Sequence, residues 1–216
     1  MVLGSFLVFA QIKIQDPSPK IKVKTGIVNK EIRLRWAVDE AIAWQKSNKI
    51  GFVVKRYTLK RNGSLLPVPE EKILGEVSAK PEKDWESIIE KNDNAAVIAQ
   101  ALYGESFEVE MGNQSKLQSI VDRSQEIEQR FAFSLMTADL DYEIALFAGW
   151  AFTDSTVLPN ENYLYRVELN QKNNTKNLLI ERGNALASLS DVTELPKPID
   201  FIGIFKDKTV ILSWEM

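Results

Sequence analysis

The stretch Ile21-Lys-Val-Lys-Thr-Gly-Ile-Val-Asn-Lys-Glu-Ile-Arg-Leu-Arg-Trp36 returns 178 residues later as Ile199-Asp-Phe-Ile-Gly-Ile-Phe-Lys-Asp-Lys-Thr-Val-Ile-Leu-Ser-Trp214. Aligned without a gap, the copies share Ile21/Ile199, Lys30/Lys208, Leu34/Leu212 and Trp36/Trp214, and Val23/Phe201 and Ile32/Val210 are apolar in both. Each reads as a strand, a short polar turn and a second strand ending in Trp. In the first copy Ile32, Leu34 and Trp36 alternate with Arg33 and Arg35, the period-2 pattern of a half-buried antiparallel strand. The second copy stops shortly after its Trp, so residues 196–216 are expected to open a second, incomplete unit.

Around this repeat the chain is ordinary in composition. It has 216 residues, 44% hydrophobic and 26% charged, enough for one to two domains with a sizeable core. The net charge of -3 lacks the basic surplus of a nucleic-acid binder, and none is expected as a partner. Lys20, Lys22 and Lys24 alternate along one strand and read as its solvated face. There is no Cys and no His. That removes disulfides, thiolate nucleophiles, Ser-His-Asp triads and His-ligated zinc. No cofactor, metal or catalytic residue is expected, and the segment reads as non-enzymatic.

Residues 1–10, Met-Val-Leu-Gly-Ser-Phe-Leu-Val-Phe-Ala, resemble the apolar part of a truncated secretory signal with Ala10 at its cleavage site. A secreted or cell-surface location is therefore expected. This run and Ile144–Phe152 are both too short to span a membrane as a helix.

Beyond Trp36, residues 50–60 read as a strand whose apolar face switches between Val54 and Tyr57, which calls for a bulge there. Arg61-Asn-Gly-Ser64 is a tight turn. The period then changes. Trp85, Ile88, Ile89, Ala95, Ala96, Ala99 and Leu102 recur at helical spacing between Pro81 and Gly104. A second helix starts near Asn113 or Ser115, with Leu117, Ile120, Val121, Ile127, Phe131 and Leu135 as its buried stripe. Asp139 or Asp141 caps a third, ending at Gly149. Strand signals return at Trp150-Ala-Phe152 and at Tyr163–Leu169, where Tyr163, Tyr165, Val167 and Leu169 alternate. A further strand pair or frayed end is expected between Leu178 and Leu189. Asp16-Pro-Ser-Pro19 and Leu195-Pro-Lys-Pro198 are stiff linkers.

These residues carry a resemblance to the fibronectin type III β-sandwich, an Ig-like fold. Trp36 sits where that family places the core Trp of its second strand. Tyr57-Thr-Leu-Lys-Arg-Asn-Gly63 is similar to the third strand and its turn. Leu158-Pro-Asn-Glu-Asn-Tyr163-Leu-Tyr165-Arg-Val167 is similar to the run entering the sixth strand, with Tyr163 as the tyrosine corner. The family's turn glycine is Asn160 here, which also tolerates a left-handed backbone. The resemblance covers roughly 22–68, 150–192 and 199–216. It implies a mainly β fold over residues 11–195 with an α-helical insertion at about 70–149, followed by the first two strands of a second sandwich. Large secreted bacterial multi-domain proteins carry divergent modules that look similar.

Candidate contact residues are Trp44, Trp85 and Tyr103. Trp44, beside Asp39-Glu40, would stack on a sugar at a binding rim, or else pack across the sandwich or on the insert. Asp139, Asp141 and Glu143 would ligate Ca²⁺ or cap a helix, and capping suits them better because the glycine of a calcium loop is missing. Glu86, Glu90, Glu105, Glu108 and Glu110 read as solvated faces before they read as an acid/base pair. Asn62, Asn113 and Asn173 head formal glycosylation triplets. A groove between insert and sandwich is the default binding site. The expected function is a structural or binding module of a longer polypeptide, making protein or glycan contacts. The alternatives are the accessory front end of a secreted carbohydrate-active enzyme, or a part of a cell-envelope or phage-tail-like assembly.

Overall fold

The computed structural model describes residues 18–105, 116–192 and 199–215, with side chains from 121 onward in the second of these segments. Residues 1–10 and the linkers at 16–17 and 195–198 lie outside them. The fold is mainly β, with antiparallel sheets compatible with a β-sandwich. One sheet has three strands in the order β1 (Ile21–Val28), β2 (Glu31–Val38), β5 (Ala151–Asp154). The other has four, in the order β4 (Ser64–Val77), β3 (Phe52–Arg61), β6 (Glu161–Leu169), β7 (Gly183–Ser188).

Alternation dictates the core. Ile32, Leu34, Trp36 and Val38 of β2 are buried while the residues between them are not. In β6 every second residue from Glu161 to Leu169 is buried. These faces join Phe52 and Val54 in one apolar cluster, with Trp36 edge-on to Phe52 at 5.7 Å between ring centroids. β7 runs close against β1 because residue 183 is glycine. A Cβ there would collide with the Ile21 carbonyl oxygen and a Val23 methyl.

The face of β3 does not switch. Phe52, Val54, Arg56 and Thr58 are all buried, so an arginine, not Tyr57, continues the inward row. Two register shifts occur instead: β4 pairs Gly75 with Val54 and Ile73 with Lys55, leaving Leu74 over, and β3 leaves Leu59 over against β6 between Thr58↔Tyr163 and Lys60↔Asn162, beyond the predicted position. β4 is an edge strand. It accommodates Pro67 and Pro69, which cannot donate to a ladder, at such an edge. The turn between β3 and β4 has Asn62 at φ 50 and Gly63 at φ 80, the paired left-handed residues of a tight hairpin.

The helical stretch begins later than residue 70, because Glu70–Val77 is the second half of β4. A short 3-10 turn, Glu82–Asp84, leads into α2 (Glu86–Ile89), and α3 spans Asp93–Tyr103. The single periodic run therefore breaks at Asn92, whose side chain caps α3 by accepting from Asn94 N–H at 2.9 Å. The third and fourth helical segments are α4 (Lys116–Leu140) and α5 (Tyr142–Phe147), the latter capped by Asp141 as the sequence predicts. Val121, expected in the buried stripe of α4, is exposed. Between β2 and β3 lies α1 (Ala41–Ser47), a helix absent from the sequence expectations, written below as the Ala41–Ser47 helix. Its N-cap Glu40 accepts from Ile42 and Ala43 N–H at 3.0 and 2.7 Å.

The repeated stretch forms a hairpin of its own, β8 (Ile199–Lys206) with β9 (Thr209–Glu215). Its register reproduces that of β1–β2. Ile202↔Ser213, Gly203↔Leu212, Ile204↔Ile211, Phe205↔Val210 and Lys206↔Thr209 each match a β1–β2 pair at the repeat offset. The match slips only at the start, where Asp200 takes φ 52. Trp36 and Trp214 thus lie in different sheets.

Candidate functional site

Of the three sequence-predicted contact residues, two are closed off. Trp44 is 2% exposed and Trp85 is 0%. Trp44 follows the packing alternative: its ring lies 5.7 Å from Phe131 of α4 and 5.7 Å from Trp150. It ties α4 to the segment entering β5 and forms no rim. Asp39 and Glu40 are occupied too. Asp39 accepts from Lys20 N–H at 2.7 Å, and Glu40 caps its helix. Trp85 packs edge-on to Phe147 at 5.1 Å and donates its indole N–H to the Lys80 carbonyl at 3.0 Å. Tyr103 is half-buried and its hydroxyl donates to the same carbonyl. Burial, the largest influence, raises its pKa.

Trp85 and Tyr103 do meet at one cleft, of about 480 Å³, between the 3-10 turn, α2 and α3. Glu82 and Glu86 stand beside Ile89, Ala99 and Gln100 there. The cleft lies inside the insert, not between insert and sandwich. Both aromatic polar atoms are already spent on the Lys80 carbonyl, so the polar groups left facing it are those of Glu82, Lys83, Glu86 and Gln100.

The carboxylates near α5 are structural. Asp139 pairs with Arg35 at 2.7 Å. Asp141 caps α5 and accepts from Asn92 Nδ2 at 2.8 Å, which, ahead of the opposing effect of burial, holds its pKa below the ordinary value. Among the described residues, no three carboxylates gather as a metal ion would require. Glu108, Glu110 and Asn113 lie outside the described residues.

Sequence reasoning missed one polar constellation, inside the core. Arg56 Nη1 donates to Asp154 Oδ2 at 2.8 Å and to Thr156 Oγ1 at 3.0 Å. Tyr165 Oη donates to the same Asp154 oxygen at 2.9 Å, while Thr156 supplies its N–H and hydroxyl to Oδ1 at 2.9 and 2.7 Å. The guanidinium sits 4.7 Å from the Tyr163 ring centroid. Burial alone would raise the Asp154 pKa. The hydrogen bonds from Thr156, Arg56 and Tyr165 outweigh it, and the carboxyl stays below its usual range. Tyr165 is pushed up by burial and by the Asp154 charge. Tyr163 is pushed up to about 12, mainly by burial. Its hydroxyl accepts from Leu158 N–H at 2.7 Å and donates to Glu161 at 2.7 Å, so the phenol does reach back to upstream backbone. Asn160 takes the left-handed conformation at φ 62. With four donors on one buried carboxylate, this network is a lock across β3, β5 and β6. It leaves no free base for chemistry. The signal for it was Arg56 itself, a charge at an inward position of the alternating strand.

Among the described residues, the most open apolar surface is the β8–β9 hairpin. Phe201, Ile202, Ile204 and Phe205 on β8, and Val210, Ile211, Leu212 and Trp214 on β9, are all exposed. No helix among the described residues is long and apolar enough to cross a membrane. Comparison with protein-family models, curated proteins and solved structures finds no match.

Proposed function

We propose that this chain is a non-enzymatic binding or structural module of a modular, extracytoplasmic protein. On this reading it is a fibronectin type III-like sandwich enlarged by a helical insertion, followed by the opening hairpin of a second unit. Three placements support the family reading: Trp36 on the second strand, Tyr57 on the third ahead of its Asn-Gly turn, and the Tyr163 corner on the sixth. Seven antiparallel strands split three and four over one core also suit it. A secreted or surface location rests on the signal-like residues 1–10, and cell fractionation tests it.

The carrying observation is the repeated hairpin in matched register with its faces uncovered. In the first copy, β5 pairs with the free edge of β2, and β3 and β6 cover its apolar row. The second copy has the same row, Val210, Leu212 and Trp214, and needs the same cover. On this reading a second sandwich would supply it. Hydrogen exchange on the full natural polypeptide tests this. Amides of β9 should be protected as strongly as those of β2. Rapid exchange along β9 there would remove the modular reading.

A further inference from the structure

A second cavity, of about 380 Å³, opens between the end of the Ala41–Ser47 helix and the loop that joins β6 to β7. Three lysines line it, Lys46, Lys49 and Lys176, and no carboxylate does. None of the three forms an ion pair within 4.0 Å among the described residues. Lys46 stands in the last turn of its helix, where the dipole favours a cation. Lys49 and Lys176 have no such use.

The loop facing this helix is built rigidly. Asn170 donates to Glu76 at 2.8 Å through its side chain and to the Gly51 carbonyl at 3.0 Å through its N–H. Asn173 Nδ2 donates to the Ile50 carbonyl at 3.1 Å. Asn174 is buried, donating to the Leu178 carbonyl at 3.0 Å and accepting from Leu178 N–H at 2.9 Å. Glu76, the carboxylate tied to this loop, is occupied by Asn170 and by Lys172 at 2.6 Å. Its charge therefore serves Lys172, not the lysines of the cavity. A fixed loop presenting uncompensated amines loses little order on binding.

We propose that this cavity binds an acidic peptide segment. The amines receive its carboxylates, and the aliphatic floor of Ile50 and Leu178 receives a neighbouring apolar side chain. No aromatic ring lines the cavity, so a sugar ring finds no flat face to rest on. The volume falls in the range of small-ligand sites and suits a few residues, not a domain.

The test is fluorescence polarisation of a labelled hexapeptide alternating Glu and Leu, on the whole chain at low ionic strength. The Lys49→Gln/Lys176→Gln variant should weaken binding by about tenfold, and added salt should weaken the parent chain's binding. The Lys24→Gln/Lys30→Gln variant, changed on the exposed face of β1–β2, should bind as the parent does. Equal loss in both variants, or no binding by the parent chain, overturns the proposal. Tighter binding of a uronic-acid oligomer than of the peptide also overturns it. The site is independent of the β8–β9 hairpin, so failure here leaves the hydrogen-exchange test of modularity intact.

Discussion

The hairpins β1–β2 and β8–β9 share sequence and register but not surroundings. Trp36 is 2% exposed and Trp214 is 50%. The outer faces differ as well. Arg33 of β2 lies over the Tyr142 ring at 4.6 Å and Arg35 pairs with Asp139, so the helical stretch covers the β2 side of that face while Lys22 and Lys24 of β1 stay exposed. The counterparts of Arg33 and Arg35 are Ile211 and Ser213. The pattern of a strand thus specifies its pairing partner and its inward row, while protection from water comes from elements outside the hairpin, from Phe52 on β3 to Tyr142 and Asp139 of the helical stretch. A hairpin alone is marginal, and a third strand with an apolar cover makes it stable.

The sharpest way to break the comparison is to remove each tryptophan. Trp36→Ala should cost about 3–5 kcal/mol in urea unfolding, and Trp214→Ala less than about 0.5 kcal/mol. Similar losses from both would mean that β9 is covered after all. Removing the polar lock on β5 should be nearly as severe. Asp154→Ala strands the buried Arg56 and should cost about 3–5 kcal/mol. Arg56→Leu combined with Asp154→Leu should recover most of that loss.

Acid separates the lock from the rest. Asp154 and Glu161 titrate below their ordinary values in the folded state. Their stabilisation is complete above about pH 5 and is lost as pH falls through the folded-state values. Unfolding midpoints measured across pH 3–7 should decline on the acid side. Asp154→Asn should flatten that decline while lowering stability at neutral pH.

Smaller effects sharpen the contrast between the two glycines. Gly183→Ala forces β7 away from β1 and should cost about 1–3 kcal/mol. Gly203 has only ordinary contact distances around a Cβ, so Gly203→Thr, the residue at the matching position of β1, should stay within about 0.5 kcal/mol. Truncation after Leu195 should shift the thermal midpoint of the sandwich by less than about 2 °C, read by circular dichroism.

Much of the β structure was legible, since the alternation in β2 and β6 and the Asn62-Gly63 turn are local signals. So were the Asp141 cap and the bond from Tyr163 to upstream backbone. The Ala41–Ser47 helix was not. Its seven residues are too few to establish a helical period, and its buried Trp44 and Ala41 have meaning only against α4 and Trp150. The length of β4 was hidden, because Pro67, Pro69, Glu70 and Glu71 interrupt any alternating pattern and are admissible in a strand only at an edge. Arg56 was misread because alternation alone gives no account of a charge facing inward. Its partner, Asp154, is 98 residues away. The lysine cavity was equally hidden, since it is assembled from a helix and a loop far apart in sequence.

The prolines of β4 also determine how the molecule meets its neighbours. A foreign strand approaching that flank finds ladder positions without donors and the charges of Glu70, Glu71 and Lys72 close by. β9 carries no proline and a greasy row instead. At high concentration, self-association would therefore nucleate on the β8–β9 hairpin and spare the β4 edge.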